Sequence, residues 1–184
     1  MLKRLTLLCS VLLLSACATG DRITEFGDRS LGYGWLDIKD VDANKLHAVD
    51  IYQFRPKTSK PYYPARVMKF KDGFLYYSTI LPNGSLKTVS AFGTRCIGFL
   101  CSSTTYEYSF GKQGDDVGAV VIKSPGVYSL GAYKLKELET DDDKFDIVPA
   151  KDAPSKREML EEILKQVKDV PVVAERIKRE LAKL

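Results

Sequence analysis

Ala65–Phe92 reads ARVMKFKDGFLYYSTILPNGSLKTVSAF, a stretch in which two turn segments separate three short runs of β-branched, aromatic and aliphatic residues. The turns, Lys71–Gly73 and Leu81–Ser85, contain the Asp-Gly and Asn-Gly pairs that tolerate the positive φ of tight hairpins. Runs bounded in this way are typical of neighbouring strands. We therefore predict a three-stranded antiparallel meander formed by Ala65–Phe70, Phe74–Ile80 and Leu86–Phe92.

Similar runs continue on both sides of this meander from residue 32 onward. They recur about every 8–12 residues, which is typical of an antiparallel sandwich or barrel. Gly131 lies inside the last run and indicates a bulge or a point of close packing. The sequence therefore predicts a mainly β domain over residues 32–148, either an antiparallel β-sandwich or an open barrel. Its further strands are Tyr33–Ile38, Leu46–Phe54, Thr104–Phe110, Val117–Ile122 and Val127–Leu135.

Residues 149–184 carry the pattern of two short helices. Ser155 followed by Glu158 forms a capping box at the start of the first helix. Pro171 interrupts the pattern and suits the first turn of a second helix, Val172–Leu184. Because two short helices are not stable alone, their apolar stripes must pack on the sheet, on each other or on a partner. The stripe of the first helix consists of Met159, Leu160, Ile163, Leu164 and Val167.

Residues 1–16 have the order of a secretory signal peptide, with Lys3 and Arg4 followed by the apolar run Leu5–Leu14 and by small residues. The segment Leu14–Cys17 reads LSAC and resembles the lipobox of bacterial lipoproteins. This resemblance implies that Cys17 becomes the mature N-terminus and carries a diacylglyceryl thioether, usually with an amide-linked acyl chain such as palmitate. It implies that membrane lipid is a partner of the protein.

The residues after Cys17 refine the expected location. Ala18 stands where an aspartate usually marks inner-membrane retention in bacterial lipoproteins, so the resemblance implies an outer-membrane protein that faces the periplasm. Residues 17–31 contain two glycines and only scattered apolar side chains. We predict that they form a tether between the lipid and the domain.

The N-terminal segment leaves two alternatives to a lipid anchor open. A transmembrane helix needs roughly 20 apolar residues, and Leu5–Ala16 is shorter than that. An ordinary secretory signal without lipidation leaves Cys17 as an exposed, reactive thiol at the end of an exported chain. Lipidation accounts for the cysteine at this position, and we prefer it.

The composition fits one domain and excludes some partners. Removal of residues 1–16 from the 184-residue chain leaves enough residues for a single domain with a real core. The remaining chain has a small excess of positive charge without a basic cluster, so we predict no nucleic-acid partner.

Cys96 and Cys101 enclose the short segment CIGFLC in a chain that we expect to be exported. This context predicts a disulfide that closes a small loop. A redox pair typically has two residues between the cysteines and a helix after them. A zinc site needs further Cys or His ligands, and the chain has one histidine.

No motif identifies an active site. His47 and Asp50 point to opposite faces of a predicted strand, which makes them poor catalytic partners. Asp40–Asn44 starts like a calcium-binding loop but lacks its glycine and its glutamate, so a turn is favoured. Asp141–Asp143 is a hydrated acidic run, with calcium binding as the weaker alternative. Gly32–Gly34 lacks the third glycine of a phosphate loop. We predict no catalytic residue, cofactor or metal site.

The tyrosines are the candidate recognition surface. Tyr62, Tyr63, Tyr76 and Tyr77 lie in or beside predicted strands. Neighbouring residues of a strand face opposite sides, so at least one tyrosine of each pair is expected to be exposed. Exposed tyrosines can stack on sugars or peptides, but the preference of tyrosine for strands also explains the pattern, and we prefer that simpler explanation.

These patterns favour a lipid-anchored cell-envelope protein with a binding or structural role. Whether it is an enzyme stays open, and the pattern favours a non-catalytic role. One alternative is an envelope hydrolase that acts on cell-wall or glycan material. Another is an accessory subunit of a secretion or efflux assembly that binds an envelope protein through the C-terminal helices.

Overall fold

The computed structural model describes residues 27–54, 62–110, 118–137 and 145–184. The predicted signal peptide, the predicted lipid site at Cys17 and the acidic run Asp141–Asp143 lie outside these residues.

The described residues form eleven strands followed by two helices. The strands are β1 (Ser30–Asp40), β2 (Lys45–Phe54), β3 (Tyr62–Phe70), β4 (Gly73–Leu81), β5 (Gly84–Thr94), β6 (Cys96–Ile97), β7 (Leu100–Cys101), β8 (Tyr106–Ser109), β9 (Val120–Ile122), β10 (Val127–Glu137) and β11 (Phe145–Pro149). The helices are α1 (Lys156–Gln166) and α2 (Pro171–Leu181). The mainly β fold with a C-terminal helical pair is confirmed. β1 begins two residues before residue 32, and β11 has no counterpart among the strands predicted from sequence.

Nine strands form one sheet that curls into a nearly closed barrel. The strand order is β11-β10-β1-β4-β3-β2-β5-β8, and β9 pairs with the first part of β5. The first and last strands of this order, β11 and β8, contact each other through side chains. The centroid of the Phe145 ring of β11 lies 5.2 Å from that of the Tyr108 ring of β8 and 6.4 Å from that of the Phe110 ring. Of the two predicted architectures, the barrel is therefore the one observed. The predicted antiparallel pattern breaks at β1 and β10, which run parallel.

The predicted meander is wrong at its second turn. β3 and β4 pair as expected, but β4 uses its other edge to pair with β1. Because both edges of β4 are occupied, β5 pairs with β2 instead. The segment around Asn83-Gly84 therefore connects strands that are not neighbours. It is held by Gln53, whose side-chain amide donates to the Asn83 carbonyl at 2.8 Å.

The barrel interior is filled by apolar side chains around Tyr76. This side chain is fully buried, and its hydroxyl is hydrogen-bonded to the Thr88 hydroxyl at 3.2 Å. Burial raises the pKa of the Tyr76 phenol. The ring lies against β1 at Gly34, where a Cβ atom would come within 2.4 Å of it. The glycine leaves the space that the tyrosine ring fills.

The two helices cover the outer face of β1 and β4. Tyr33 and Trp35 of β1 and Leu75 of β4 share one buried cluster with the stripes of α1 and α2. The Trp35 indole donates to the Phe70 carbonyl at 3.1 Å, which satisfies its polar group. The stripe of α1 is therefore packed on the sheet. Its buried members are Met159, Leu160, Ile163 and Val167.

Local signals position both helices. The capping box between Ser155 and Glu158 is confirmed, and Pro171 occupies the first turn of α2. Lys71, in the β3–β4 turn, forms an ion pair and hydrogen bond with Glu158 and so connects the turn to α1. Gly131 has φ of +90° at a register shift in β10, which confirms the bulge.

We expect Gly34→Ala to lower the free energy of unfolding by about 1–3 kcal/mol, because the added methyl group overlaps the buried Tyr76 ring. Urea denaturation measures this change. Gly27→Ala is the control, since a Cβ atom there meets nothing within 4 Å. Equal stability of the two variants would contradict the described packing.

We expect Glu158→Gln to lower the melting temperature at neutral pH and to have less effect in acid. Hydrogen bonds from Lys71 and from Ser155 lower the pKa of Glu158 from 4.5 to about 2. A carboxyl group with a lowered folded-state pKa stabilises the fold above its unfolded pKa and loses that contribution as pH falls. The difference in melting temperature should therefore shrink between about pH 4.5 and pH 2. Glu161→Gln is the control for loss of one surface carboxylate.

Candidate functional site

The strands β6 and β7 form a small hairpin that stands apart from the barrel sheet. Cys96 faces Cys101 and Ile97 faces Leu100 in its ladder. Gly98 has φ of +61° at the first central position of the two-residue turn, where a type II′ turn requires glycine. The predicted disulfide between Cys96 and Cys101 is confirmed and closes the base of this hairpin.

The hairpin presents three large apolar side chains to solvent. Ile97 is 82% exposed, Phe99 is 94% exposed and Leu100 is 68% exposed. We call these three residues the apolar tip. Single exposed apolar residues are ordinary on protein surfaces, but a contiguous group of them marks an interaction site. Removal of such side chains from water is worth about 1.5–3 kcal/mol each.

Asn44 fixes the hairpin to the barrel. Its side-chain amide donates to the Cys96 carbonyl at 2.7 Å, and its side-chain carbonyl accepts from the Cys96 amide at 2.8 Å. The Ser102 amide donates to the Arg95 carbonyl at 2.8 Å on the far side of the disulfide. The predicted turn at Asp40–Asn44 thus has a definite role, because its last residue holds the hairpin.

The surroundings of the apolar tip carry little charge. The chain from Cys96 to Tyr106 contains no charged residue. Arg95 precedes it and lies 3.5 Å from Asp42. The exposed residues after the hairpin are hydroxyl-bearing, namely Ser102, Ser103, Thr104 and Thr105. The segment that carries the apolar tip can therefore be buried without burying a charge of its own.

The predicted tyrosine surface is largely wrong. Tyr76 is fully buried and Tyr77 is 3% exposed, because the barrel core covers one face of β4 and the helices cover the other. Tyr63 is half-buried and donates to Gln53 at 3.4 Å. Tyr62 is 55% exposed and lies edge-on to Tyr52 with ring centroids 6.2 Å apart. One tyrosine of the four is therefore available to a partner from solvent.

The remaining sequence candidates include two polar side chains of β2, His47 and Asp50. His47 is exposed on β2. Burial raises the pKa of Asp50, and the negative charge of Glu107 raises it further. Across the described ranges, His, Cys, Asp and Glu side chains form no group of three or more suited to a metal ion. No helix in the described part of the chain is long and apolar enough to span a membrane.

A cationic cleft of about 300 Å³ lies between α2 and the turn before β10. Arg176, Arg179 and Lys183 line it together with Glu180. Arg176 donates to the backbone carbonyls of Gly27 and Arg29. Lys183 lies 2.8 Å from the Glu180 carboxylate. Lys183 and Glu180 are thus paired with each other. Arg176 attaches the residues just before β1 to α2.

We expect the double variant Cys96→Ser, Cys101→Ser to lose about 2 kcal/mol of stability, because the disulfide restricts the unfolded chain over a short loop. Urea denaturation measures the loss, with Ser103→Ala as an exposed control in the same segment. Thiol titration of the denatured mature wild type without reductant should detect no free thiol. Two free thiols there would refute the bridge.

Comparison with known proteins identifies no family. No family model matches the chain, and no curated protein matches it. Among solved structures, part of a 9R-lipoxygenase from Cyanothece is similar to this chain at 15% identity and a TM-score of 0.32. The similarity covers 81% of this chain and 24% of the lipoxygenase. A likeness at that TM-score supports no statement about fold or activity.

Proposed function

We propose that the chain is a lipid-anchored protein of the bacterial cell envelope, with a binding role carried by the apolar tip. The observation that carries this proposal is the disulfide-closed hairpin with its three exposed apolar side chains. Disulfides persist in oxidising compartments outside the cytosol, and a contiguous apolar surface of this kind is suited to a hydrophobic partner.

The anchor in this proposal is the acylated Cys17. One acyl chain holds a protein to a bilayer only marginally, whereas two or more hold it stably. The described chain begins at Gly27, where Arg176 of α2 binds the backbone. The lipid-bearing segment therefore joins the barrel beside α2. The hairpin lies at the other end of β1, next to Asn44.

The alternative of an accessory subunit that docks through its helices has less support. That alternative needs an exposed apolar stripe on α1. The stripe is instead covered by β1 and β4, with Leu160 and Ile163 fully buried. The three members of the apolar tip are instead the most exposed large apolar side chains in the described part of the chain.

We expect labelled palmitate to be incorporated into the wild type and into Cys9→Ala, but not into Cys17→Ala, when the full chain is expressed in bacteria. Cys9→Ala is the matched control, because Cys9 lies in the apolar run of the predicted signal peptide. Mass spectrometry of the mature N-terminus identifies the modified residue. An unacylated mature terminus, or label retained by Cys17→Ala, would refute the anchor.

A further inference from the structure

We propose that the apolar tip inserts into the interfacial region of the same bilayer that holds Cys17, as a second contact with the membrane. This inference rests on the proposed lipid anchor and names lipid as the partner of the hairpin. Its side chains, Ile97, Phe99 and Leu100, would lie at the boundary between headgroups and acyl chains.

The shape of the tip favours lipid over a protein partner. A standard protein interface takes about 20–30 residues from each side and needs complementary shapes. The tip offers three apolar side chains on a narrow, protruding hairpin. Fluid hydrocarbon accommodates such a protrusion without a matching groove.

The charge distribution also suits insertion. Charged side chains are costly inside a bilayer, and the chain between Cys96 and Tyr106 contains none. The nearest charge in sequence, Arg95, is close to its partner Asp42 at the base of the hairpin. The hydroxyl groups of Ser102–Thr105 suit the polar headgroup layer, where hydrogen-bond partners are plentiful.

The hairpin is ordered before any contact is made. The disulfide, the ladder between β6 and β7 and the two hydrogen bonds of Asn44 all fix its backbone. Pairing within the ladder also satisfies backbone groups that lipid cannot satisfy. Insertion therefore orders little additional chain, which lowers its entropic cost.

The tether is long enough for both ends of the domain to reach one leaflet. β1 has 11 residues and is therefore about 35 Å long, with the lipid-bearing segment at its start and the hairpin beyond its end. The roughly ten residues from Cys17 to Gly27, where Arg176 holds the backbone, span at most about 35 Å. The barrel can thus lie along the membrane with the tip and the acyl chains in the same leaflet.

The test places a tryptophan at the tip of the acylated protein in vesicles of phosphatidylethanolamine and phosphatidylglycerol that contain brominated lipid. The variant is Phe99→Trp, and the control is Val121→Trp, since Val121 is 58% exposed on β9, outside the hairpin. The native Trp35 is 2% exposed under the helices and supplies a constant background. Both substitutions are at exposed positions, so both variants should fold.

We expect the indole of Phe99→Trp to shift to shorter wavelength and to lose about half of its emission to brominated lipid, as shallow burial in the interface predicts. Val121→Trp should show neither effect. Quenching of Phe99→Trp no greater than that of Val121→Trp overturns the inference. A shift without quenching, which indicates a protein groove or a second copy of the chain, overturns it as well.

Failure of the anchor and failure of the insertion give different results. If both variants sediment with vesicles and Phe99→Trp is not quenched, the anchor stands and the insertion is refuted. If the mature protein proves unacylated but Phe99→Trp is still quenched, the anchor and the role of the tip as a second contact are refuted, while direct insertion of the tip into lipid stands. If neither variant associates with vesicles, both are refuted.

Discussion

The burial of β1 and β4 on both faces is the constraint on which the rest of the structure depends. Their inward side chains meet in the barrel core around Tyr76, and their outward side chains meet the helices around Trp35. A strand pair covered on both sides has no face left for solvent or ligand. The three most exposed large apolar side chains of the described residues lie away from this strand pair, on the hairpin.

Features that depend on a few adjacent residues could be predicted from the sequence. Ser155 and Glu158 form the capping box, Gly131 marks the bulge, and Cys96 and Cys101 form the disulfide. In the capping box and the disulfide, the interacting groups lie within six residues of one another, and the bulge uses the backbone freedom of Gly131 itself, so local geometry favours each outcome. The mainly β class follows for the same reason, because it rests on short runs and the turns between them.

Features that depend on distant pairing could not be predicted. The Asn83-Gly84 pair has the chemistry of a hairpin, yet β5 pairs with β2 because β1 and β3 already occupy β4. Tyr77 is buried because helices that begin about 80 and 95 residues later cover it. The exposure of the apolar tip could have been predicted from the sequence, because a loop as short as CIGFLC has no room to bury its own large side chains.

The parallel pairing of β1 with β10 has a consequence for assembly during synthesis. Leu31 near the start of the domain pairs with Val127, so one edge of β1 stays open until most of the chain has been made. The helices that cover its outer face come later still. Contacts this distant in sequence form slowly. The sheet and the helical cover of β1 therefore cannot be completed until nearly the whole chain has left the ribosome.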